Sequence, residues 1–184
     1  MGIGILLCGL NGSGKSTLGR ALAEKTGACF IDNEDLYFPK TGADYPYAVS
    51  RSREEVEELL LREIRGRENF IFASVKGDYG EEVVSRFRYA VLVEVPRDLR
   101  LARVRDRSFR KFGARMLEGG DLYAREQEFF DFVASRPEDT VEEWLKGLRC
   151  PVIRVDGTRP VEETVRLILR QIAGGRPASR EDEC

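Results

Sequence analysis

Gly9-Leu10-Asn11-Gly12-Ser13-Gly14-Lys15-Ser16 fits the phosphate-binding consensus G-x-x-x-x-G-K-[ST], and the residues on both sides supply the setting that this consensus requires. Upstream, Ile3-Gly4-Ile5-Leu6-Leu7-Cys8 is a short apolar run of the kind found in a strand buried on both faces. Downstream, residues 16–25 carry apolar side chains at helical spacing. Gly9, Gly12 and Gly14 allow backbone conformations closed to other residues, so that the N–H groups of Asn11, Gly12, Ser13 and Gly14 can converge on phosphate oxygens. Lys15 then supplies a point charge to the β and γ phosphates of a nucleotide, Ser16 a hydroxyl to Mg²⁺, and Thr17 a group beside the α phosphate, with the helix N-terminus adding its dipole. The alternative is a glycine-rich turn that binds nothing. The coincidence of strand, loop, Lys-Ser pair and helix argues against it.

At 184 residues the chain has the size of one α/β domain, and 42% apolar residues suffice for a core covered on two faces. A net charge of −2 with 34% charged residues describes a surface of mixed sign, which gives no reason to expect nucleic acid or an anionic membrane as partner. No charged-then-apolar leader opens the sequence, and no apolar run approaches the roughly 20 residues of a membrane span, so a cytoplasmic location is expected. Histidine is absent, which removes the usual general base and leaves carboxylates to accept protons. Cys8, Cys29, Cys150 and Cys184 are too scattered for a zinc or redox motif; the first three read as small core residues and Cys184 as part of an exposed tail.

Past the first helix, Thr26-Gly27 reads as a stop and Cys29-Phe30-Ile31-Asp32 as a second strand ending in a carboxylate. Residues 33–50 read as a loop broken by Pro39, Gly42 and Pro46 and crowded with Tyr37, Phe38, Tyr45 and Tyr47. Ser52-Arg53-Glu54-Glu55 is a capping box that opens a helix running to Gly66. Strands are expected over 69–75, 89–95 and 151–155, and helices over 81–87, about 97–112, 122–134, 138–148 and 161–172. Gly113 breaks the long basic helix, and Gly119-Gly120 interrupt again before the helical pattern resumes at Leu122. This alternation predicts a parallel sheet with right-handed crossovers and a ligand at the carboxyl ends of its strands. Residues from Gly174 onward are expected to be disordered.

The chain resembles the nucleoside-monophosphate kinase and shikimate kinase group of P-loop kinases over roughly residues 3–172. The resemblance rests on GLNGSGKST, on the carboxylate-bearing FIDNEDLYFP, on the arginine-dense LARVRDRSFRKFGAR and on IRVDGTRPVEETV. It implies a three-layer P-loop NTPase fold of class α/β, with a five-stranded parallel sheet, helices on both faces and a mobile arginine-rich lid at about 105–122, all in a single domain over 1–173. It also implies Mg²⁺-ATP as phosphoryl donor and a nucleoside monophosphate or hydroxyl metabolite as small-molecule acceptor; the chain itself is expected as a monomer or homodimer. Arg107, Arg110 and Arg115 become lid candidates, with Arg103 nearer the hinge; Gly157, Thr158 and Pro160 become adenine-side candidates. Two departures stand out: Ala73-Ser74-Val75-Lys76-Gly77-Asp78 replaces the Asp-Gly-Phe-Pro-Arg of adenylate-type enzymes and the Gly-Gly-Gly of shikimate kinases, and Asp32-x-x-Asp35 replaces Asp-x-Asp.

Asp32, at the end of a strand expected to lie beside the strand of the glycine loop, is suited to orient a Mg²⁺ shell, and Asp35 to take a proton from a hydroxyl acceptor; the alternative is that Glu34 or Asp35 merely caps the next turn. Ser74, Lys76 and Asp78 are further candidates. The aromatic loop, with Arg51 and Arg53 behind it, suits an acceptor with a flat or apolar part and an anionic part, or else is a patch covering the helix beneath. A different functional class also fits the loop, a nucleotide-dependent ATPase or switch acting on a protein partner. Its acidic candidate is Glu94 at the end of the fourth strand.

Overall fold

The computed structural model describes residues 2–40 and 44–174. The expected loop break at Gly42 and the tail expected to be disordered, Cys184 included, lie outside these residues, apart from Gly174, which ends the last helix.

All five residues of β1 (Gly4–Cys8) are buried, with Ile5 and Leu7 packed into one helical layer and Leu6 and Cys8 into the other. This is the two-unit alternation of a strand covered on both faces. The chain continues through α1 (Lys15–Thr26), β2 (Cys29–Asp32), α2 (Asn33–Tyr37), α3 (Arg53–Ile64), β3 (Phe70–Ala73), α4 (Gly80–Ser85), β4 (Phe87–Glu94) and α5 (Arg97–Phe112). A 3₁₀ turn at Gly113–Met116 leads into α6 (Tyr123–Ser135), α7 (Thr140–Leu145), β5 (Val152–Asp156) and α8 (Val161–Gly174). The five strands are parallel throughout, in the order β2-β3-β1-β4-β5. Asp32 therefore does not end a strand next to β1, as the sequence suggested. β3, buried at all four positions, fills the covered place between them, and the half-covered β2 is left at the edge.

One apolar layer joins Leu6, Phe72 and Leu92 of the sheet to Val56 and Leu60 of α3, Val83 of α4 and Leu145 of α7. The other joins Leu7, Ile71, Val91 and Ile153 to Leu18 and Leu22 of α1 and to Val165 and Ile168 of α8. Each fully buried Leu or Ile contributes about 1.5–3 kcal/mol by leaving water. The capping box is formed, with the Glu55 N–H donating to Ser52 Oγ at 3.2 Å and the Ser52 N–H to Glu55 Oε2 at 2.7 Å. Gly27 in the left-handed conformation ends α1, and its N–H donates to the Ala23 carbonyl at 2.8 Å.

The segment from 97 to 135 builds a third small core of Val104, Phe112, Met116, Leu122, Phe130 and Val133, with Tyr45 and Tyr47 packed against it. Much of the stretch expected as an aromatic loop is thus organised: residues 33–37 form α2, and Tyr45 and Tyr47 dock on the α5–α6 unit. No helix of the described residues is long and apolar enough to cross a membrane.

Candidate active site

The turn after β1 depends on glycine at two places in particular. Gly12 has φ +82°, and a Cβ there would lie 2.3 Å from the Arg100 carbonyl oxygen. Gly14, at φ +94°, caps α1 with no side-chain hydrogen bond, so the amide donors of the first helical turn stay open towards a ligand. Lys15 Nζ donates to the Leu10 carbonyl at 3.1 Å and approaches Ser13 Oγ at 3.5 Å. Burial lowers the Lys15 pKa to about 8; the charges of Cys8 and Asp32 oppose the shift, whereas Arg107 and Arg136 add to it. An ammonium held partly deprotonated by its surroundings gains strongly from an incoming phosphate.

Beside the loop opens a cleft of about 550 Å³. Asn11, Gly12, Lys15 and Ser16 form its floor, and Asp32, Asn33 and Glu34 one wall. Ser74, Lys76 and Asp78 come from the end of β3, and Arg53, Arg107 and Arg136 from three helical segments. Tyr37, Phe38, Tyr45, Tyr47, Phe129 and Phe132 complete an aromatic side. Ser74, Lys76 and Asp78 are thereby brought to the site, where Lys76 pairs with Asp78 at 3.1 Å and Arg53 with Asp78 at 3.5 Å.

The two carboxylates singled out in the sequence part company. Asp32 borders the cleft and caps α2, accepting the Glu34 N–H at 3.1 Å, so the capping carboxylate is neither Glu34 nor Asp35. Asp35 does not line the cleft. It is exposed and pairs with Lys40 at 3.6 Å, because the cap at Asp32 winds α2 so that Asn33, Glu34 and Tyr37 face inward and Asp35 outward. Glu34 takes the place expected of Asp35. Its Oε1 accepts the Tyr47 hydroxyl at 2.7 Å and its Oε2 lies 3.6 Å from Arg107.

The lid arginines divide in the same way. Arg107 lines the cleft. Arg110 does not, and it pairs with Asp106 one turn back on an exposed face of α5. Arg115 is held by Asp44 at 2.6 Å and Asp121 at 2.5 Å, bridging the 44–48 loop to the end of the 3₁₀ turn. Arg103 donates to the Gly157 carbonyl at 3.1 Å. Arg136 is a cleft residue that the sequence reading missed: it stacks over Phe132 at 4.9 Å, burial lowers its pKa, and no carboxylate pairs with it among the described residues. A basic residue just after a helix reads as a dipole partner, so sequence alone carried no signal for it.

On the other side of the loop, Gly157 packs so tightly that a Cβ would lie 2.6 Å from Val95 and 2.8 Å from the Ser13 carbonyl oxygen. Thr158 borders a shallow recess with Glu94, Val95, Pro96, Val155 and Asp156, and its hydroxyl is bonded to Asp156 Oδ1 at 2.6 Å. Pro160 does not line the recess; its carbonyl accepts the Thr164 hydroxyl at 3.1 Å at the start of α8. Thr17 is exposed on the first turn of α1. Glu94 pairs with Arg154 at 3.1 Å and lies outside the main cleft.

Ser16 and Asp32 provide hard oxygen donors on the cleft, a set that fits Mg²⁺, which binds through one or two carboxylates together with phosphate and water. No group of three or more His, Cys, Asp or Glu able to hold a metal by itself occurs among the described residues.

A family model described as "AAA domain" matches residues 5–128. The uncharacterized protein YqaC of Bacillus subtilis (strain 168) is 27% identical over 173 residues, covering 90% of this chain and 94% of that one. A shikimate kinase of Vibrio campbellii is 31% identical over 107 residues, covering 54% of this chain and 62% of its own length. The match to the shikimate kinase of Synechococcus elongatus spans only 42% of that enzyme. Among solved structures, shikimate kinase from Acinetobacter baumannii in complex with shikimate aligns at a TM-score of 0.57 with 20% identity, over 96% of each chain. The resemblance to small P-loop kinases and the five-stranded parallel α/β fold read from the sequence are borne out.

Proposed function

Because the chain belongs to the family described as AAA domain and sets its phosphate loop beside a charged acceptor cleft, we propose that it moves the γ-phosphoryl group of Mg²⁺-ATP to the hydroxyl of a small anionic metabolite. The observation that carries this reading is Glu34, a carboxylate on the cleft wall that a phosphate acceptor would not need and a hydroxyl acceptor does. The hydroxyl oxygen bonds to the γ phosphorus as the bond from that phosphorus to the bridging β,γ oxygen breaks, and the hydroxyl proton passes to Glu34. ADP leaves with the bridging oxygen.

In this reading the loop N–H groups, Lys15 and Arg107 neutralise the oxygens whose charge rearranges during transfer. Ser16 and Asp32 would hold Mg²⁺, which supplies further charge neutralisation when bound. Arg136, free of any carboxylate partner among the described residues, is suited to an anionic group on the acceptor, and the aromatic side to its apolar surface. The 105–122 segment closes over the donor as a lid, through Arg107 and not through Arg110 or Arg115. Glu94, tied to Arg154, is poorly placed to polarise water, which speaks against the ATPase or switch alternative.

The test is ADP release from Mg²⁺-ATP with hydroxy acids such as shikimate and gluconate, neutral sugars and nucleoside monophosphates, with Lys15→Ala as the blank. Release dependent on a hydroxy acid and lost in the blank supports the proposal. Release with mononucleotides alone, or with no acceptor at all, overturns it.

A further inference from the structure

Arg100 is 3% exposed, a guanidinium buried at the junction of the phosphate loop, the end of β4 and the connection from α6 to α7. Its Nε donates to the Val95 carbonyl at 3.2 Å and its Nη1 to the Asn11 carbonyl at 3.3 Å. Its Nη2 donates to both carboxylate oxygens of Glu138, at 2.6 and 2.7 Å. Its backbone also touches the loop, since the Arg100 carbonyl oxygen occupies the space in which a Gly12 Cβ would stand.

Stability alone gives little reason to bury this ion pair, because well-packed apolar residues serve as well or better. What the pair does provide is direction. The peptide joining Asn11 to Gly12 is planar and trans, so its carbonyl and its N–H point in opposite senses. Holding the Asn11 carbonyl towards Arg100 turns the Gly12 N–H the other way, away from the guanidinium. On its far side the same guanidinium grips Glu138. One turn earlier on α5, Arg97 reinforces that grip, donating to the Ala134 carbonyl at 3.0 Å and lying 3.6 Å from Glu138. Between Ala134 and Glu138 sits Arg136, the cleft cation without a carboxylate partner among the described residues.

We propose that Arg100 is a positioning residue that aims the Gly12 amide at the donor phosphate and, through Glu138, fixes the segment carrying Arg136 on the acceptor side, coupling the two halves of the site. The acceptor half of this statement rests on the function proposed above. The chain's single tryptophan, Trp144, reports on the connection: it lies in α7, just beyond Glu138, and packs towards Gly77 in the loop that carries Lys76 and Asp78.

The experiment uses the full chain with Mg²⁺-ADP as probe, reading affinity by calorimetry and the response of Trp144 by fluorescence, with thermal melts as the folding control. Arg100→Lys keeps the charge but loses the fork, and its affinity for Mg²⁺-ADP falls about tenfold. Glu138→Gln, a change at a half-exposed side chain, keeps the fold and suppresses the Trp144 response by more than half, and Glu138→Asp restores part of it. A folded Arg100→Lys with affinity within twofold of the unmodified chain, or an unchanged Trp144 response in Glu138→Gln, overturns the inference while leaving the functional reading intact. An unmodified chain that binds no Mg²⁺-ADP overturns both.

Discussion

Glu34 and Tyr47 are joined by a 2.7 Å hydrogen bond in which the phenol donates to Oε1, while the other carboxylate oxygen faces Arg107 at 3.6 Å. Lys111 in turn donates to the Tyr47 oxygen at 2.7 Å. A surface loop, α2 and α5 therefore meet at one carboxylate. Burial, and next the bond to Glu34, hold the Tyr47 phenol well above its ordinary pKa, so it stays a donor throughout the working range. The carboxylate is thus engaged at both oxygens while staying partly exposed.

From this follows a contrast between neighbours. Glu34→Gln removes the acceptor while preserving size, and kcat with the hydroxyl acceptor should fall by about 10²–10³-fold, within the range general-base removal covers. Asp35→Asn, one residue on and turned to solvent beside Lys40, should leave kcat within about twofold, because exposed ion pairs of this kind contribute little. Steady-state kinetics of the two variants under identical conditions decide the matter, and equal losses would remove Glu34 from the role.

Lys15 makes nucleotide binding depend on pH. With a pKa of about 8 in the folded chain, the ammonium is charged below that value and increasingly neutral above it. A bound phosphate favours the charged form, so affinity for ADP should be level below about pH 8 and decline as pH rises through it, with proton uptake on binding near pH 8.5. Stability without nucleotide has the opposite trend. The pKa is depressed from 10.5, the unfolded chain binds more protons between about 8 and 10.5, and unfolding free energy therefore rises with pH across that window. Calorimetry in buffers of different ionisation enthalpy tests the first statement; urea titrations of the unmodified chain and Lys15→Met, which should lack the rise, test the second.

The parts of the fold legible in the sequence were those governed by local rules. The apolar run of β1, the Ser52–Glu55 box and the Gly27 stop all express short-range chemistry, and all appear where the pattern put them. Sheet order is a long-range property, and nothing in Cys29–Asp32 or Phe70–Ala73 taken separately says which strand pairs with β1. Within the site, the loop from Gly9 to Ser16 could be read because its spacing is the mechanism. Glu34 could not be chosen over Asp35, since the choice depends on Asp32 capping a helix of five residues, which sets the facing of each side chain. Arg100, Arg107 and Arg110 are alike in sequence, but the first is buried against the loop, the second borders the cleft and the third pairs with Asp106 in solvent.

Two glycines with positive φ separate conformational cost from steric cost. Gly27→Ala meets nothing within 4 Å and should cost about 1 kcal/mol for the left-handed backbone alone, with nucleotide affinity unchanged. Gly12→Ala adds a clash with the Arg100 carbonyl at 2.3 Å, which is backbone and cannot swing aside. The loop must shift, and its free amide donors with it, so ADP affinity should fall by more than about tenfold, as the loss of even one charge-assisted hydrogen bond implies. Chemical denaturation and nucleotide titration of both variants give the comparison, which fails if Gly12→Ala binds as the unmodified chain does.

Glu126 offers a test of how the aromatic loop is anchored. Its carboxylate is 1% exposed, its Oε1 accepts the Tyr45 hydroxyl at 2.9 Å, and its Oε2 has no hydrogen-bond partner among the described residues. Burial, followed by the bond to Glu126, pushes the Tyr45 phenol up to about 12, so the donor persists across ordinary pH. Tyr45→Phe would remove a donor from a buried carboxylate and should destabilise the fold by about 1–3 kcal/mol, the penalty for leaving such a group unsatisfied. Adding Glu126→Met replaces both polar partners by apolar atoms of similar size and should recover most of that loss, since the asymmetry lies in the orphaned group and not in the bond itself. A double-mutant cycle in denaturant measures the difference directly. Equal instability of the single and double variants would mean that Tyr45 holds the loop through its ring contacts with Tyr47 and Phe112 and not through its hydroxyl.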